Sequence, residues 1–166
     1  TIDAERTFWD KIVIAHGMRS WFDRRGEVRQ EGQRISRHYY DLHCIAGTDV
    51  GVRAAKDFAL GADCVAHART FFSRPDFDLE SAEPGTFKLV PTGEMKERLK
   101  RDYENMQAMI FGAAPSFDTL AQSITRPVQP QLAVAEISND VVMQLPQVAS
   151  VSVSAATVAL AQPLTA

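Results

Sequence analysis

The sequence predicts a mainly α-helical protein, with a single helical domain over residues 1–125 and a loosely ordered tail over residues 126–166. The first observation is that apolar residues recur every three or four positions, as Met95, Leu99, Tyr103 and Met106 do; this is the period of an amphipathic helix. The second is a change of composition after Arg126, because the last 40 residues contain no Lys, Arg, Phe, Trp or Tyr. Such a segment should neither solvate nor pack like the rest of the chain.

Capping residues divide the first half of the chain into helices. Asp3 can cap a helix that reaches about Phe22, with Phe8, Ile12 and Ala15 on its apolar stripe. Residues 23–33 are rich in charge and contain two glycines, which predicts an exposed loop. Two further helices are then expected, over residues 36–46 with a glycine at 47 to end it and over residues 57–72, and another helical stretch can start between them at residue 48 or 49.

The second half begins with a connection. Residues 73–91 contain three prolines and several acids, which predicts an ordered segment with little regular structure. A helix is expected over residues 92–111, ended by Gly112, and a short last helix from Ser116 to Ile124. The domain should therefore contain about five helices. The low-complexity tail is predicted to be poorly ordered or to form weak β-type segments at 141–145 and 148–153.

Composition excludes several classes of protein. The chain is 45% hydrophobic and 23% charged, with a net charge of −3, so it can bury one core and has no overall attraction to nucleic acid or to an anionic membrane. No secretion leader or long apolar run is present, which predicts a cytoplasmic protein without membrane contact. The two cysteines lack a CxxC spacing and are expected to be buried free thiols. Because the chain starts at Thr1 without a methionine, we expect it to be part of something longer.

Two helical segments carry the candidate chemistry. Thr7 and Lys11 are four residues apart and share one face of the first helix. A lysine there is a point charge suited to nucleotide phosphates, with the threonine hydroxyl nearby. The alternative is a solvated lysine whose stem covers apolar surface.

The second segment places Arg34, Arg37, His38 and Asp41 within eight residues. If the helix starts early, positions 34, 38 and 41 share a face. In the functional interpretation the arginines contact phosphates and Asp41 binds a metal or accepts a proton. In the alternative, Arg37 and Asp41 form an i, i+4 ion pair that contributes only a few tenths of a kcal/mol.

Other polar residues indicate less. His16, His43 and His67 are isolated on apolar faces and are expected to be satisfied core or surface histidines. His38, His43 and Asp41 do not have the spacing of a zinc site, and no third soft ligand is nearby. The six arginines between Arg19 and His38 leave open a small RNA-binding module. A non-catalytic helical interaction module is the other alternative. No common nucleotide-binding or hydrolase motif is present.

The residue strings go further than their spacing. The segments Arg6-Thr-Phe-Trp-Asp-Lys11 and Arg34-Ile-Ser-Arg-His-Tyr-Tyr-Asp-Leu42 resemble two signature segments of the AbiEii/AbiGii-type nucleotidyltransferase toxins of bacterial abortive-infection and toxin–antitoxin systems. Later strings resemble the C-terminal half of the same family, namely His67-Ala-Arg-Thr-Phe-Phe72, Asp102-Tyr-Glu-Asn-Met106, Met109-Ile-Phe-Gly112 and Pro115-Ser-Phe117. The resemblance covers roughly residues 4–124.

The resemblance implies roles for the matching residues. Lys11 matches the lysine that contacts the nucleotide triphosphate, with Thr7 as its motif neighbour, and Asp41 matches the aspartate of the later active-site motif. Arg34, Arg37 and His38 are then substrate-binding candidates. The implied reaction transfers NMP from an NTP to an acceptor, expected to be RNA, with Mg²⁺ in the complete enzyme. A cognate antitoxin is the implied protein partner.

The sequence also departs from the family. The family holds Mg²⁺ with an Asp-x-Asp pair after a Gly-Ser segment in an N-terminal lobe, and this chain contains no such combination. Asp76-Phe-Asp78 has the spacing but follows the other motifs and lacks the Gly-Ser partner, so we interpret it as a coincidence. No metal ligand is therefore predicted in this chain. We expect it to be the C-terminal part of the enzyme without the metal-binding lobe, and to be inactive alone.

Overall fold

The computed structural model describes residues 3–124, and these contain six α-helices and no β-strand. The predicted mainly α fold is confirmed for this part of the chain, with one helix more than the five expected. The helices are α1 (Ala4–Arg25), α2 (Arg37–Ala46), α3 (Asp49–Ala54), α4 (Phe58–Phe71), α5 (Gly93–Met106) and α6 (Phe117–Ser123). Short 3₁₀ turns lie at Pro75–Phe77, Leu79–Ser81 and Gln107–Met109. The predicted tail and its two β-type segments lie outside the described residues.

Side-chain caps fix most of the helix starts. The carboxylate of Asp3 accepts a hydrogen bond from the backbone N–H of Glu5 at 3.1 Å, and Asp57 caps α4 in the same way through Leu60. Helix α1 runs three residues beyond the predicted end, because only Gly26 takes the left-handed conformation, at φ 67°, that closes it. Helix α5 ends earlier than predicted, at Met106, and continues as a 3₁₀ turn.

Helix α1 is the centre of the domain. It packs against α2, α3, α4 and the 3₁₀ turn at Pro75–Phe77. Its predicted stripe is buried, but so are Trp9, Val13 and His16 on the adjoining face, because α1 has neighbours on more than one side. The indole N–H of Trp9 donates to the carbonyl oxygen of Ala54 at 2.9 Å and so ties α1 to the end of α3.

Two glycines allow the helices around α1 to approach closely. A Cβ at Gly61 would lie 3.0 Å from the ring of Trp9, so a larger residue would force the ring or the helix to shift at the crossing of α4 and α1. A Cβ at Gly51 would collide with the carbonyl oxygen of Ile45 at the end of α2. The first contact brings α4 close to α1, and the second brings α3 close to the end of α2.

The two cysteines differ in environment. Cys64 on α4 is buried, as predicted, whereas Cys44 is exposed on α2. The prediction of a buried thiol was therefore wrong for Cys44. The buried apolar residues of α2 are Tyr39 and Leu42. The face of α2 that packs on the core is therefore the one that carries these two residues, and Cys44 lies outside it.

Candidate functional site

The side chain of Lys11 meets two side chains of α2. Its Nζ donates to Oδ2 of Asp41 at 2.7 Å and to Nδ1 of His38 at 3.1 Å. The side chain of Lys11 is 20% exposed and that of Asp41 is 40% exposed, so the contact lies at the surface, within reach of a ligand. We call Lys11, His38 and Asp41 the lysine cluster.

The lysine cluster leaves one donor of Lys11 unused. An ammonium group carries three N–H donors, and Asp41 and His38 accept two of them. The third has no acceptor among residues 3–124. The two neighbours therefore hold the ammonium in place while one N–H remains available for an anionic ligand.

His38 has to be neutral for this arrangement, because a protonated ring cannot accept a hydrogen bond at Nδ1. The pKa of His38 is lowered to about 4, mainly by burial. The positive charges of Lys11 and Arg37 also lower this pKa, while the negative charge of Asp41 raises it. At neutral pH the ring proton therefore sits on Nε2, and the second nitrogen of the ring is a donor.

The lowered pKa predicts acid sensitivity. An unfolded chain binds a proton on histidine near pH 6.5, whereas folded His38 does so only near pH 4. Between these two pH values only the unfolded state binds the proton. The free energy of unfolding is therefore unaffected by His38 above about pH 6.5 and decreases as the pH is lowered toward 4. We expect urea unfolding at pH 7 and pH 5 to show this loss, and His38→Asn to reduce it.

His16 should also contribute to the acid sensitivity of the fold, independently of His38. Burial also lowers the pKa of His16, so part of the acid sensitivity should remain in His38→Asn. A ring titration of His38 near pH 6.5, measured by NMR, would contradict the account.

Asp102 on α5 anchors the start of α2. Its carboxylate is buried and accepts three hydrogen bonds, from the backbone N–H of Arg34 at 3.1 Å, the N–H of Ser36 at 2.8 Å and the hydroxyl of Ser36 at 2.7 Å. Ser36 stands at the N-cap position, but its own side chain makes no capping bond. Asp102 thus fixes the turn from which His38 and Asp41 project. Sequence reasoning missed this role, because the partners are 66 and 68 residues apart.

The other predicted site residues lie around the lysine cluster without joining it. The hydroxyl of Thr7 donates to the carbonyl of Asp3 at 3.0 Å, so it serves the start of α1. Arg34 is exposed and precedes α2, with φ 58°; the expected face shared by positions 34, 38 and 41 was therefore wrong. Arg37 is exposed, and among the described ion pairs Asp41 pairs with Lys11 and not with Arg37.

The arginine-rich stretch is largely engaged within the protein. Arg19 pairs with Asp23, Arg24 with Asp78 and Arg25 with Asp76. Arg29 lies over the rings of Trp21 and Phe77, at 5.8 and 5.3 Å from their centroids. These contacts engage four of the six arginines within the protein, so they do not favour the alternative in which the whole stretch binds RNA.

The remaining histidines have partners, as predicted. His16 accepts from the N–H of Lys88 at Nδ1 and faces the carbonyl of Asp78 at Nε2, at 3.0 and 3.1 Å. His43 is bonded to the hydroxyl of Ser123 at 2.7 Å. His67 is exposed and packs against Phe71, with ring centroids 4.7 Å apart.

A cavity of about 470 Å³ lies next to the lysine cluster. His38 belongs to both, and Asp10, which precedes Lys11, is also in the cavity wall. Helix α1, the loop before α2, helix α4 and the following 3₁₀ turns all contribute to the lining. The sequence contained no signal for this cavity, since its walls come from segments distant in the chain.

The residues of the lysine cluster do not fit Mg²⁺. The ion prefers several oxygen ligands in octahedral geometry, whereas Oδ2 of Asp41 already accepts from an ammonium. Asp76 and Asp78 are held by Arg25, Arg24 and Lys88. Within residues 3–124, no group of three or more acidic, histidine or cysteine side chains is placed to hold a metal ion.

The fold and the lysine cluster define a helical domain that presents a partly exposed cation held by a carboxylate and a neutral imidazole. Among the helices of residues 3–124, none has the length and apolar composition that a membrane span requires. The sequence model of the AbiEii nucleotidyl transferase toxins of type IV toxin–antitoxin systems matches residues 1–123. The chain therefore belongs to the AbiEii family. No curated protein and no solved structure gave a match.

Proposed function

We propose that this chain takes part in the transfer of NMP from an NTP to an acceptor, with RNA as the acceptor and with the lysine cluster as the site of the nucleotide phosphates. Membership of the AbiEii family supports the class of reaction. The observation that carries the location is the contact of Lys11 with Asp41 and His38, which leaves one N–H of the ammonium for a phosphate oxygen.

Lys11 has the electrostatic role in this proposal. In NMP transfer an acceptor hydroxyl attacks the α-phosphorus, the bond to the bridging oxygen breaks and pyrophosphate leaves. Negative charge grows on the leaving group, and a fixed ammonium stabilises it most when its position is set in advance. Asp41 and His38 supply that position, since each binds Lys11 from α2.

Asp41 has two possible tasks, and both follow from its geometry. Through Oδ2 it positions Lys11. Its second oxygen, Oδ1, makes no hydrogen bond to the described residues and is at the surface, so it can accept the proton of the attacking hydroxyl. Arg34 and Arg37 are exposed near the start of α2 and are proposed to contact the outer phosphates or the RNA backbone.

Membership of the family is the basis on which a metal and a protein partner are proposed. Mg²⁺ would neutralise the triphosphate, and we propose that carboxylates outside residues 3–124, on a nucleotidyltransferase lobe, hold it. The described residues would then supply the nucleotide contacts. Because the family belongs to toxin–antitoxin systems, we also propose a cognate antitoxin as the partner.

Labelled-NTP transfer to RNA by the complete gene product tests the proposal. We expect Lys11→Ala to lower the rate by about 100-fold or more, as for loss of one transition-state donor, and Asp41→Ala to lower it strongly as well. Lys56→Ala and Asp63→Ala are matched controls, because both residues are exposed and neither takes part in the contacts of the cluster. Transfer that persists at the control rate in both Lys11→Ala and Asp41→Ala would overturn the site.

A further inference from the structure

We propose that the cavity beside the lysine cluster binds the base of the nucleotide. This inference rests on the proposed function, because it takes the phosphates to be at Lys11. It adds the location of the base and the residues that contact it. The cavity volume of about 470 Å³ is in the range of roughly 300–1,000 Å³ that is usual for small-molecule sites.

The cavity and the lysine cluster share His38. His38 accepts from Lys11 at Nδ1 and also lines the cavity. Asp10 lines it from the position before Lys11 on α1. A nucleotide with its phosphates on Lys11 would therefore have, on the other side of His38, an enclosed space for its base.

The walls of the cavity suit a flat heteroaromatic ring. Phe77 and Phe72 provide aromatic surface, and Ile14 and Ile35 provide aliphatic surface. The guanidinium of Arg29 lies 5.3 Å from the centroid of Phe77. Bases stack on aromatic side chains and on guanidinium groups, so these walls can hold a base from its faces.

The polar groups of the lining suit the edge of a base. The carboxylate of Asp10 is an acceptor for an exocyclic amine, and the amide of Gln30 can both donate and accept. His38 adds a donor, because its accepting nitrogen is occupied by Lys11. An apolar cavity with a few polar groups is the usual composition of a site that recognises an aromatic ligand.

Filling the cavity tests the proposal without disturbing the core. Ile14 lines the cavity but is 39% exposed, so Ile14→Trp adds bulk with little loss of packing. Val52→Trp is the matched control, because Val52 is 50% exposed on α3 and lies outside the cavity lining. The probes are inorganic triphosphate and the four NTPs, titrated into the whole chain by calorimetry at fixed salt.

We expect Ile14→Trp to weaken NTP binding by about tenfold or more, the equivalent of losing one stacked base, and to leave triphosphate binding unchanged. Val52→Trp should bind both probes like the wild type. Equal NTP affinity in the two tryptophan variants would overturn the base site.

Lys11→Ala separates this inference from the proposed function. It should weaken triphosphate and NTP binding alike. If Lys11→Ala has no effect on triphosphate while Ile14→Trp still weakens NTP binding, the phosphate site is wrong and the cavity remains a base site. If Lys11→Ala weakens triphosphate while Ile14→Trp has no effect on NTP, the phosphate site stands and the base site is wrong.

Discussion

Replacing Asp102 by alanine should lower the free energy of unfolding by about 3 kcal/mol or more, because each buried donor left without a partner costs about 1–3 kcal/mol. The carboxylate of Asp102 accepts from two backbone N–H groups and from the hydroxyl of Ser36. Ser36 is buried, so water does not readily replace this acceptor for its N–H and its hydroxyl. The same substitution should loosen the segment from which His38 and Asp41 reach Lys11.

Urea unfolding of Asp102→Ala measures the first effect, and Glu104→Ala is the control. Glu104 lies on the same helix and is exposed, so its loss should change stability by no more than about 0.5 kcal/mol. The milder substitution Asp102→Asn should give a protein that still folds, in which the loosening of the segment that carries His38 can be measured. There the pKa of His38, measured by NMR, should rise toward its ordinary value. Equal stability of Asp102→Ala and Glu104→Ala would show that the buried carboxylate does not anchor α2.

The helix boundaries could be predicted because their causes are local. Asp3, Thr48, Asp57 and Ser116 each accept from a backbone N–H two or three residues ahead, and such a signal is contained in a few letters of sequence. Errors arose where a helix end depended on backbone conformation. The sequence suggested an end for α1 near Phe22, but the left-handed residue that closes it is Gly26.

The lysine cluster could be predicted only in part. Spacing and family resemblance singled out Lys11 and Asp41, and the structure brings the two together. Their functional roles remain predictions. The mistaken pairing of Arg37 with Asp41 shows the limit of local reasoning, because an i, i+4 neighbour contributes only about 0.5 kcal/mol or less and loses to a partner that packing brings from another helix.

Asp102 and the cavity were beyond the sequence for the same reason. The sequence does not distinguish a buried aspartate in an amphipathic helix from a solvated one. Only the contacts of Asp102 with Arg34 and Ser36 show that it is buried and anchors α2. The cavity lies between α1, α4 and the loop before α2, and its existence depends on how those segments cross. Gly61 allows α1 and α4 to cross closely, but a glycine in the sequence does not indicate which residue packs against it.

The second prediction with a large expected effect is that one lysine reacts preferentially with a nucleotide-derived label. The chain contains five lysines, Lys11, Lys56, Lys88, Lys96 and Lys100. An acyl phosphate of a nucleotide transfers its acyl group to a lysine beside the phosphates. The ammonium first loses a proton to the solvent, and the neutral amine attacks the acyl carbon. The bond from the acyl carbon to the phosphate oxygen then breaks, the amide forms with loss of a second proton, and the nucleotide phosphate leaves. Of the five, Lys11 is the one held next to the cavity, through its bond to His38. We therefore expect Lys11 to take most of the label.

Mass spectrometry of the chain after reaction with acyl phosphates of the four nucleotides tests this directly. The account predicts label on Lys11 at least about tenfold above any other lysine, since tenfold corresponds to only 1.4 kcal/mol of preferential binding. An excess of unlabelled NTP should suppress this label, and Lys11→Ala should not shift it to a neighbour. Label spread evenly over the other four lysines, and unchanged by NTP, would contradict the assignment of the nucleotide phosphates to the lysine cluster.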